Sequence, residues 1–208
     1  MKTIELFSGT KSFSKVAKEL GHETFTIDND PSLEPDMIID ILNMGSNNFD
    51  CDVMWCSPPC QAFSVAAIGK NWDKDTRQPK SDSAILGLRL LKKTISIISV
   101  SKPKIWFIEN PRGMMRKVID EIFKENGITD YVRHTVTYCQ YGDTRMKPTD
   151  IWTNCKDWKP RPPCKNGMPC HVSAPRGSRT GTQGIKGAKD RGVIPPALFK
   201  EIFEVVQE

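Results

Sequence analysis

A cysteine stands in the segment Ser57-Pro58-Pro59-Cys60-Gln61-Ala62-Phe63-Ser64, where the apolar run Val53-Met54-Trp55 gives way to a loop stiffened by two prolines. Pro58 and Pro59 each fix φ and disfavour helix in the residue before them, so the thiol is held beyond a strand end. A positioned thiol is a candidate nucleophile. At an ordinary pKa of about 8.5 it is only a few per cent thiolate at neutral pH, so it needs help to lose its proton. The loop amides are one source of that help, and an inert packing cysteine is the bland alternative. Glu109-Asn110-Pro111 follows a second apolar run, Ile105-Trp106-Phe107-Ile108. A carboxyl group at the mouth of such a strand loses hydration and can share or donate a proton, giving an acid opposite the sulfur. Helix capping or a solvated turn is the competing account.

A different chemistry is written near the start. Phe7-Ser8-Gly9-Thr10 lets backbone amides at a helix N-terminus approach a ligand closely. Asp28, at the end of the next apolar run, can accept both hydroxyls of a ribose, and Asp40 can accept from an adenine amino group. Thr10, Asn29, Ile41 and Pro58 border these positions and complete the expected cofactor contacts. The chain has no G-x-x-x-x-G-K to hold a triphosphate. An adenosyl ligand without a pyrophosphate is expected, and S-adenosyl-L-methionine fits.

Strands must hold these groups. Thr3–Phe7, Thr24–Ile27, Ile38–Asp40, Val53–Cys56, Ile105–Ile108, Tyr131–Thr137 and Thr149–Thr153 read as strands. Ser12–Leu20, Asp82–Val100, Met114–Glu125 and Pro196–Val206 read as helices, the last with proline in its first turn. Strands alternating with helices predict an α/β fold, Rossmann-like, with a mostly parallel central sheet covered on both faces. In such a sheet ligands collect outside the carboxyl ends of the strands, and Gly9, Asp28, Asp40, Cys60 and Glu109 all fall on that rim. Gly69–Ser81 is polar and basic and reads as a mobile loop, with a plain solvated linker as the alternative for its distal half.

The 208 residues suffice for one substantial core and a small appendage. No stretch reaches the roughly 18 apolar residues of a membrane helix, and the N-terminus does not read as a signal peptide. A soluble cytoplasmic protein is expected, not a secreted one. Its seven cysteines then suit nucleophile or metal-ligand roles better than a disulfide framework. The net charge of +5 is unevenly spread: from Lys156 to Arg191 nine basic residues meet two acidic ones, so the remainder is net acidic. A catalytic body with one phosphate-facing surface has this pattern, although a glycine- and proline-rich segment also uses cations for solubility.

The ordered set Phe7-Ser8-Gly9, Asp28, Asp40, Ser57 to Ser64 and Glu109-Asn110-Pro111 resembles the cytosine-5 DNA methyltransferase family. Gln140-Tyr141-Gly142-Asp143-Thr144-Arg145-Met146-Lys147 and Gly192-Val193-Ile194-Pro195-Pro196 extend the resemblance. It implies that Cys60 attacks carbon 6 of a cytosine extruded from DNA while Glu109 binds ring nitrogen 3 and the exocyclic amine. It further implies that Arg145 contacts the base carbonyl or a phosphate, and that Gln61, Ser64, Asn110 and Lys147 meet the substrate; Arg176 and Arg179, in the basic segment outside the resemblance, are expected to contact phosphates by their charge. The family usually has a glutamine and two arginines spaced by one residue where this chain has Thr144, Arg145 and Lys147. A lysine cannot copy a guanidinium fork. RNA cytosine methylation, amino-group methylation and a catalytically weak DNA-binding protein on the same scaffold stay open as alternatives.

The resemblance divides the chain into a catalytic and cofactor-binding core over 1–153, a basic Cys/His insert over 154–190, and a C-terminal segment over 191–208 packing back on the core. Family members commonly carry a much larger recognition domain where the insert lies. Cys155, Cys164, Cys170 and His171, at spacings of nine, six and one, are soft ligands suited to tetrahedral zinc. The paired C-x-x-C knuckle is absent, so unliganded thiols or a redox role are the alternatives. The expected partner is double-stranded DNA, with no membrane; a monomer is expected, and a separate specificity partner is left open.

Overall fold

The computed structural model describes residues 1–45, 48–172 and 187–207. Seven strands form one sheet: β1 (Lys2–Leu6), β2 (Glu23–Asp28), β3 (Met37–Ile38), β4 (Val53–Cys56), β5 (Ile105–Pro111), β6 (Val132–Thr137) and β7 (Pro148–Thr153). Their order is β3-β2-β1-β4-β5-β7-β6. The pairs among β1 to β5 are parallel, and β7 alone runs antiparallel to both neighbours. The order reverses between β1 and β4, the place where such sheets open a crevice at their carboxyl ends.

Two apolar layers follow from the period-2 alternation of the strands. Met54, Cys56, Trp106 and Ile108 face one side, where α3 (Asp82–Ser101) contributes Leu91 and Ile95 and α4 (Met115–Glu125) contributes Ile119 and Phe123. Val53, Trp55 and Phe107 face the other, against Phe13 and Val16 of α1 (Ser12–Glu19) and Phe199 and Phe203 of α6 (Pro196–Val206). The α6 helix therefore returns the C-terminal segment to the first helix. Two short helices, α2 (Ile68–Asn71) and α5 (Ala188–Gly192), complete the set among the described residues. No described helix is long and apolar enough to cross a membrane.

Two expectations need correction. Glu109 and Asn110 lie within β5, paired with Ile151 and Asp150 of β7, because the antiparallel partner extends the ladder past the apolar run. The segment after the cysteine loop is pinned at its base: Trp72 is buried, its Nε1 donates to the Ala62 carbonyl at 2.7 Å, and it bridges to Pro79. Between Trp72 and Pro79 the residues Lys74–Gln78 are exposed.

Candidate active site

The cysteine loop is built on β4. Ser57 N donates to Leu6 O at 3.2 Å, carrying the chain past the β1 end, and Phe63 N and Ser64 N both donate to Cys60 O at 3.0 Å. Asn110 Nδ2 donates to Pro58 O at 2.8 Å, tying the prolines to β5. Two glycines let neighbouring backbone come close. A Cβ on Gly113 would stand 2.1 Å from Phe63 O, and one on Gly87 of α3 would stand 2.5 Å from Ala62 Cβ. The thiol is thus fixed from three elements.

Burial, and then the Glu109 carboxylate, raise the Cys60 pKa; Lys147 and, more weakly, the loop amide and Arg191 oppose the shift. The resting group is a thiol: the loop amide favours ionisation as expected, but it is outweighed. Burial disfavours the charged form more than one amide favours it. The pairing of β4 with β5, Cys56 opposite Ile108, brings the Cys60 loop and Glu109 to the same end of the sheet. Glu109 is buried, and the Tyr138 hydroxyl donates to its Oε1 at 3.0 Å. Burial and the neighbouring carboxylate hold the Tyr138 hydroxyl far above its ordinary pKa, so it remains a donor. Tyr138, at the rim end of β6, was missed in the sequence; its one signal is a polar-tipped aromatic directly after an alternating strand.

The two cations of the arginine motif part ways. Arg145 is buried: its Nε donates to Asp143 at 2.9 Å, Nη1 to the carbonyls of Asp190 at 3.1 Å and Arg191 at 3.2 Å, and Nη2 to Val193 O at 2.8 Å and to Asp143. Its fork is occupied in clamping the C-terminal return, so the expected contact with a base or phosphate is corrected to a positioning role. Lys147 instead lies at the site, with Nζ 4.7 Å from the Tyr138 ring centroid and donating to Arg191 O at 3.0 Å. Asn110 is fully buried: its Nδ2 holds the Pro58 carbonyl, and its Oδ1 has no hydrogen-bond partner. Gln61 is exposed and Ser64 half-buried on the loop, while Arg176 and Arg179 lie outside the described residues.

On the other side of the β1–β4 crevice, Phe7 takes φ 57° and Gly9 φ 48°. A bulky residue held in the left-handed region marks a turn fixed by its surroundings. Gly9 N donates to Asp28 Oδ2 at 2.9 Å, joining the ends of β1 and β2. Asp28 Oδ1 accepts from Asp30 N, and the half-exposed carboxylate keeps acceptor capacity for a diol. Ser8 Oγ is buried without a partner. Below the turn, the buried Glu5 accepts from Phe13 N at 3.3 Å and Ser14 N at 2.9 Å at the start of α1, and burial pushes its pKa up to about 7. A cleft of about 470 Å³ opens beside Gly9 and Thr10, with Lys11, Glu34, Lys189 and Val193 on its walls. Asn29 is exposed on the same rim. Asp40 Oδ1 accepts from Leu42 N at 2.9 Å, capping the 3-10 turn Ile41–Asn43. The Ile41 side chain is buried in the α3-side core, which leaves its backbone as the part able to border a ligand.

The soft ligands also regroup. Cys164, Cys170 and His171 meet Cys139, with all four ligand atoms within 4.8 Å of one another. Cys155 is not among them: it is buried in the apolar cluster that contains Trp158 and α6, and its amide donates to Thr153 Oγ1. Burial against apolar neighbours claims Cys155, whereas the turn after β6 offers Cys139 to the cluster.

Comparison with known proteins agrees with this geometry. A family model described as C-5 cytosine-specific DNA methylase matches residues 1–127. A protein of Frog virus 3 (isolate Goorha), named "Probable DNA (cytosine-5)-methyltransferase", is 30% identical over 99% of this chain and 100% of its own length. Among solved structures, the Entamoeba histolytica methyltransferase EhMeth aligns over 74% of this chain and 52% of its own, with TM-score 0.52 and 17% identity. The S. pombe Dnmt2 methyltransferase aligns over 74% and 48%, with TM-score 0.50 and 15% identity. The chain therefore spans about half the length of those structures, with which it shares the methyltransferase fold, and it covers the whole of its viral relative. By the extent of the family match and the full-length relative, the chain belongs to the C-5 cytosine-specific DNA methylase family.

Proposed function

We propose that the protein methylates carbon 5 of cytosine in double-stranded DNA, through a transient bond between Cys60 and a base turned out of the duplex. The observation that carries this reading is the tie between the Cys60 loop and the strand that bears Glu109, where Asn110 Nδ2 donates to Pro58 O at 2.8 Å and β4 pairs with β5, across the crevice from the Gly9 turn. The residues around that cleft suit S-adenosyl-L-methionine: a partnerless buried Ser8 hydroxyl, the close-approach turn at Gly9, and Asp28 with open acceptor capacity. When bound there, S-adenosyl-L-methionine supplies an electrophilic methyl group.

Cys60 loses its proton to solvent as the base docks, and its sulfur bonds to ring carbon 6. The electron pair of the 5,6 double bond moves toward carbon 5 and the ring, and Glu109 donates a proton to nitrogen 3. Carbon 5 becomes the methyl acceptor. Loss of the carbon 5 proton to water restores the double bond as the bond from sulfur to carbon 6 breaks, and the nitrogen 3 proton returns to Glu109. The expelled Cys60 thiolate takes a proton back from solvent, so one proton is released overall. Tyr138 holds Oε1 of Glu109, leaving Oε2 for the base. Lys147, with donors remaining beyond its bond to Arg191 O, provides the cation for the base carbonyl that the clamped Arg145 cannot. Turning out the base costs a few kcal/mol, offset by pocket and phosphate contacts.

Incubation of the purified protein with radiolabelled S-adenosyl-L-methionine and cytosine-rich duplexes, followed by nucleoside analysis, tests this. The expected product is 5-methyldeoxycytidine, abolished in Cys60→Ala. Label only in matched RNA would move the substrate class, and N4-methylated cytosine surviving Cys60→Ala would replace the mechanism.

A further inference from the structure

We propose that Cys139, Cys164, Cys170 and His171 bind one zinc ion in a closed tetrahedral site that fastens the basic segment to the catalytic scaffold. Three of the ligands come from residues 164–171, which carry no regular helix or strand, but the fourth comes from the 3-10 turn Tyr138–Tyr141 at the end of β6. Sulfur to sulfur between Cys164 and Cys170 is 3.1 Å, and His171 Nδ1 lies 3.5 Å from Cys164 Sγ and 3.7 Å from Cys170 Sγ. A tetrahedral ion with Zn–S of about 2.3 Å and Zn–N of about 2.0–2.1 Å requires sulfur–nitrogen edges of roughly 3.6 Å, which the two His171 spacings match, and sulfur–sulfur edges of roughly 3.8 Å, so Cys164 and Cys170 part by about 0.7 Å when the ion enters. The sulfur separation is also far beyond the about 2.05 Å of a disulfide bond.

The surrounding backbone is arranged to hold the ligands together without relying on a core. Cys164 N donates to Thr137 Oγ1 at 2.7 Å, Val172 N to Thr144 O at 2.9 Å, and Arg161 Nη1 to Gln140 O at 2.7 Å. Gln140 Nε2 approaches Cys170 Sγ at 3.5 Å, the kind of outer donor that steadies a metal thiolate. Binding converts three thiols to thiolates and releases three protons, while His171 enters neutral through Nδ1. Four protein ligands leave no open position, so the ion is structural. Its consequence reaches the chemistry through one bond along the chain: Cys139 adjoins Tyr138, whose hydroxyl holds Glu109.

Titration of the reduced, metal-free full-length protein with cobalt(II) tests the site. Tetrahedral d–d bands with sulfur-to-cobalt charge transfer are expected, saturating at one ion per chain and displaced by zinc. Cys139→Ser loses the three-sulfur spectrum, whereas Cys155→Ser keeps it; the exposed Cys170→Ser, checked for native circular dichroism, separates ligand loss from misfolding and also loses it. Absence of bands in the wild type, an unchanged spectrum in Cys139→Ser and Cys170→Ser, or a Cys164–Cys170 disulfide that forms in preference to metal binding would overturn the proposal.

Discussion

At the scale of single residues, opposing fields meet on one sulfur. Burial and Glu109 push the Cys60 thiol up, and Lys147 pulls it down. A group so placed reacts in proportion to its thiolate fraction. Alkylation of Cys60 by iodoacetamide, followed by peptide mass spectrometry, should therefore rise with pH through a midpoint above that of a free cysteine. Lys147→Met should move the midpoint higher and slow the reaction at neutral pH, while Glu109→Gln should do the reverse. A profile unchanged in both variants would separate the cation and the carboxylate from the thiol. The common placement of Cys60, Glu109 and Asp28 at the strand ends was legible in the sequence, because each follows or closes an apolar run whose direction the parallel fold sets. The role of Arg145 was not legible. Its partners are backbone carbonyls of residues 190, 191 and 193, and no spacing rule shows which carbonyls a distant return will present.

At the scale of elements, β1 and α1 share a buried carboxylate. Glu5 serves as the acceptor for the first amides of α1, where the helix dipole favours negative charge, yet complete burial raises its pKa from 4.5 to about 7. A raised folded-state pKa means that the native state binds the proton more tightly. The resulting stabilisation is full below about pH 4.5 and is lost as pH rises through about 7, amounting to an order of 3 kcal/mol at about 1.36 kcal/mol per unit. Urea denaturation of wild type and Glu5→Gln should show their stability difference drifting in the variant's favour by that order between pH 4.5 and 8. A constant difference would remove the carboxylate from the linkage. Strands and helices were readable from apolar period and turn residues, and β4 and α6 match their expected bounds. The extension of β5 through Pro111 was not, since it depends on the antiparallel partner β7. The anchoring of Trp72 was hidden for a similar reason: its acceptor, Ala62 O, becomes visible only when the loop folds back.

At the scale of the whole molecule, a parallel sheet with its order reversed between β1 and β4 brings a glycine turn and a cysteine loop to one crevice. The opposite edge, β7 and β6, supplies Lys147 and Tyr138 from the loop that joins those strands, and Arg145 of that same loop clamps the C-terminal return. The segment after β7 is laid across this edge by Trp158 in the α6-side core and by Arg161 Nε on Glu201 Oε2 at 2.8 Å. A compact chain can thereby hold both sides of one reaction center, which is the central claim: the sulfur of Cys60 bonds to the base that Glu109 protonates. The most direct measurement is covalent trapping on duplex DNA carrying 5-fluorocytosine, in the presence of S-adenosyl-L-methionine, because fluorine at carbon 5 blocks the final elimination. The account predicts a denaturation-resistant protein–DNA adduct, mapped by mass spectrometry to Cys60 and absent in Cys60→Ser. An adduct at another cysteine, or methyl transfer that proceeds without any adduct, would contradict it.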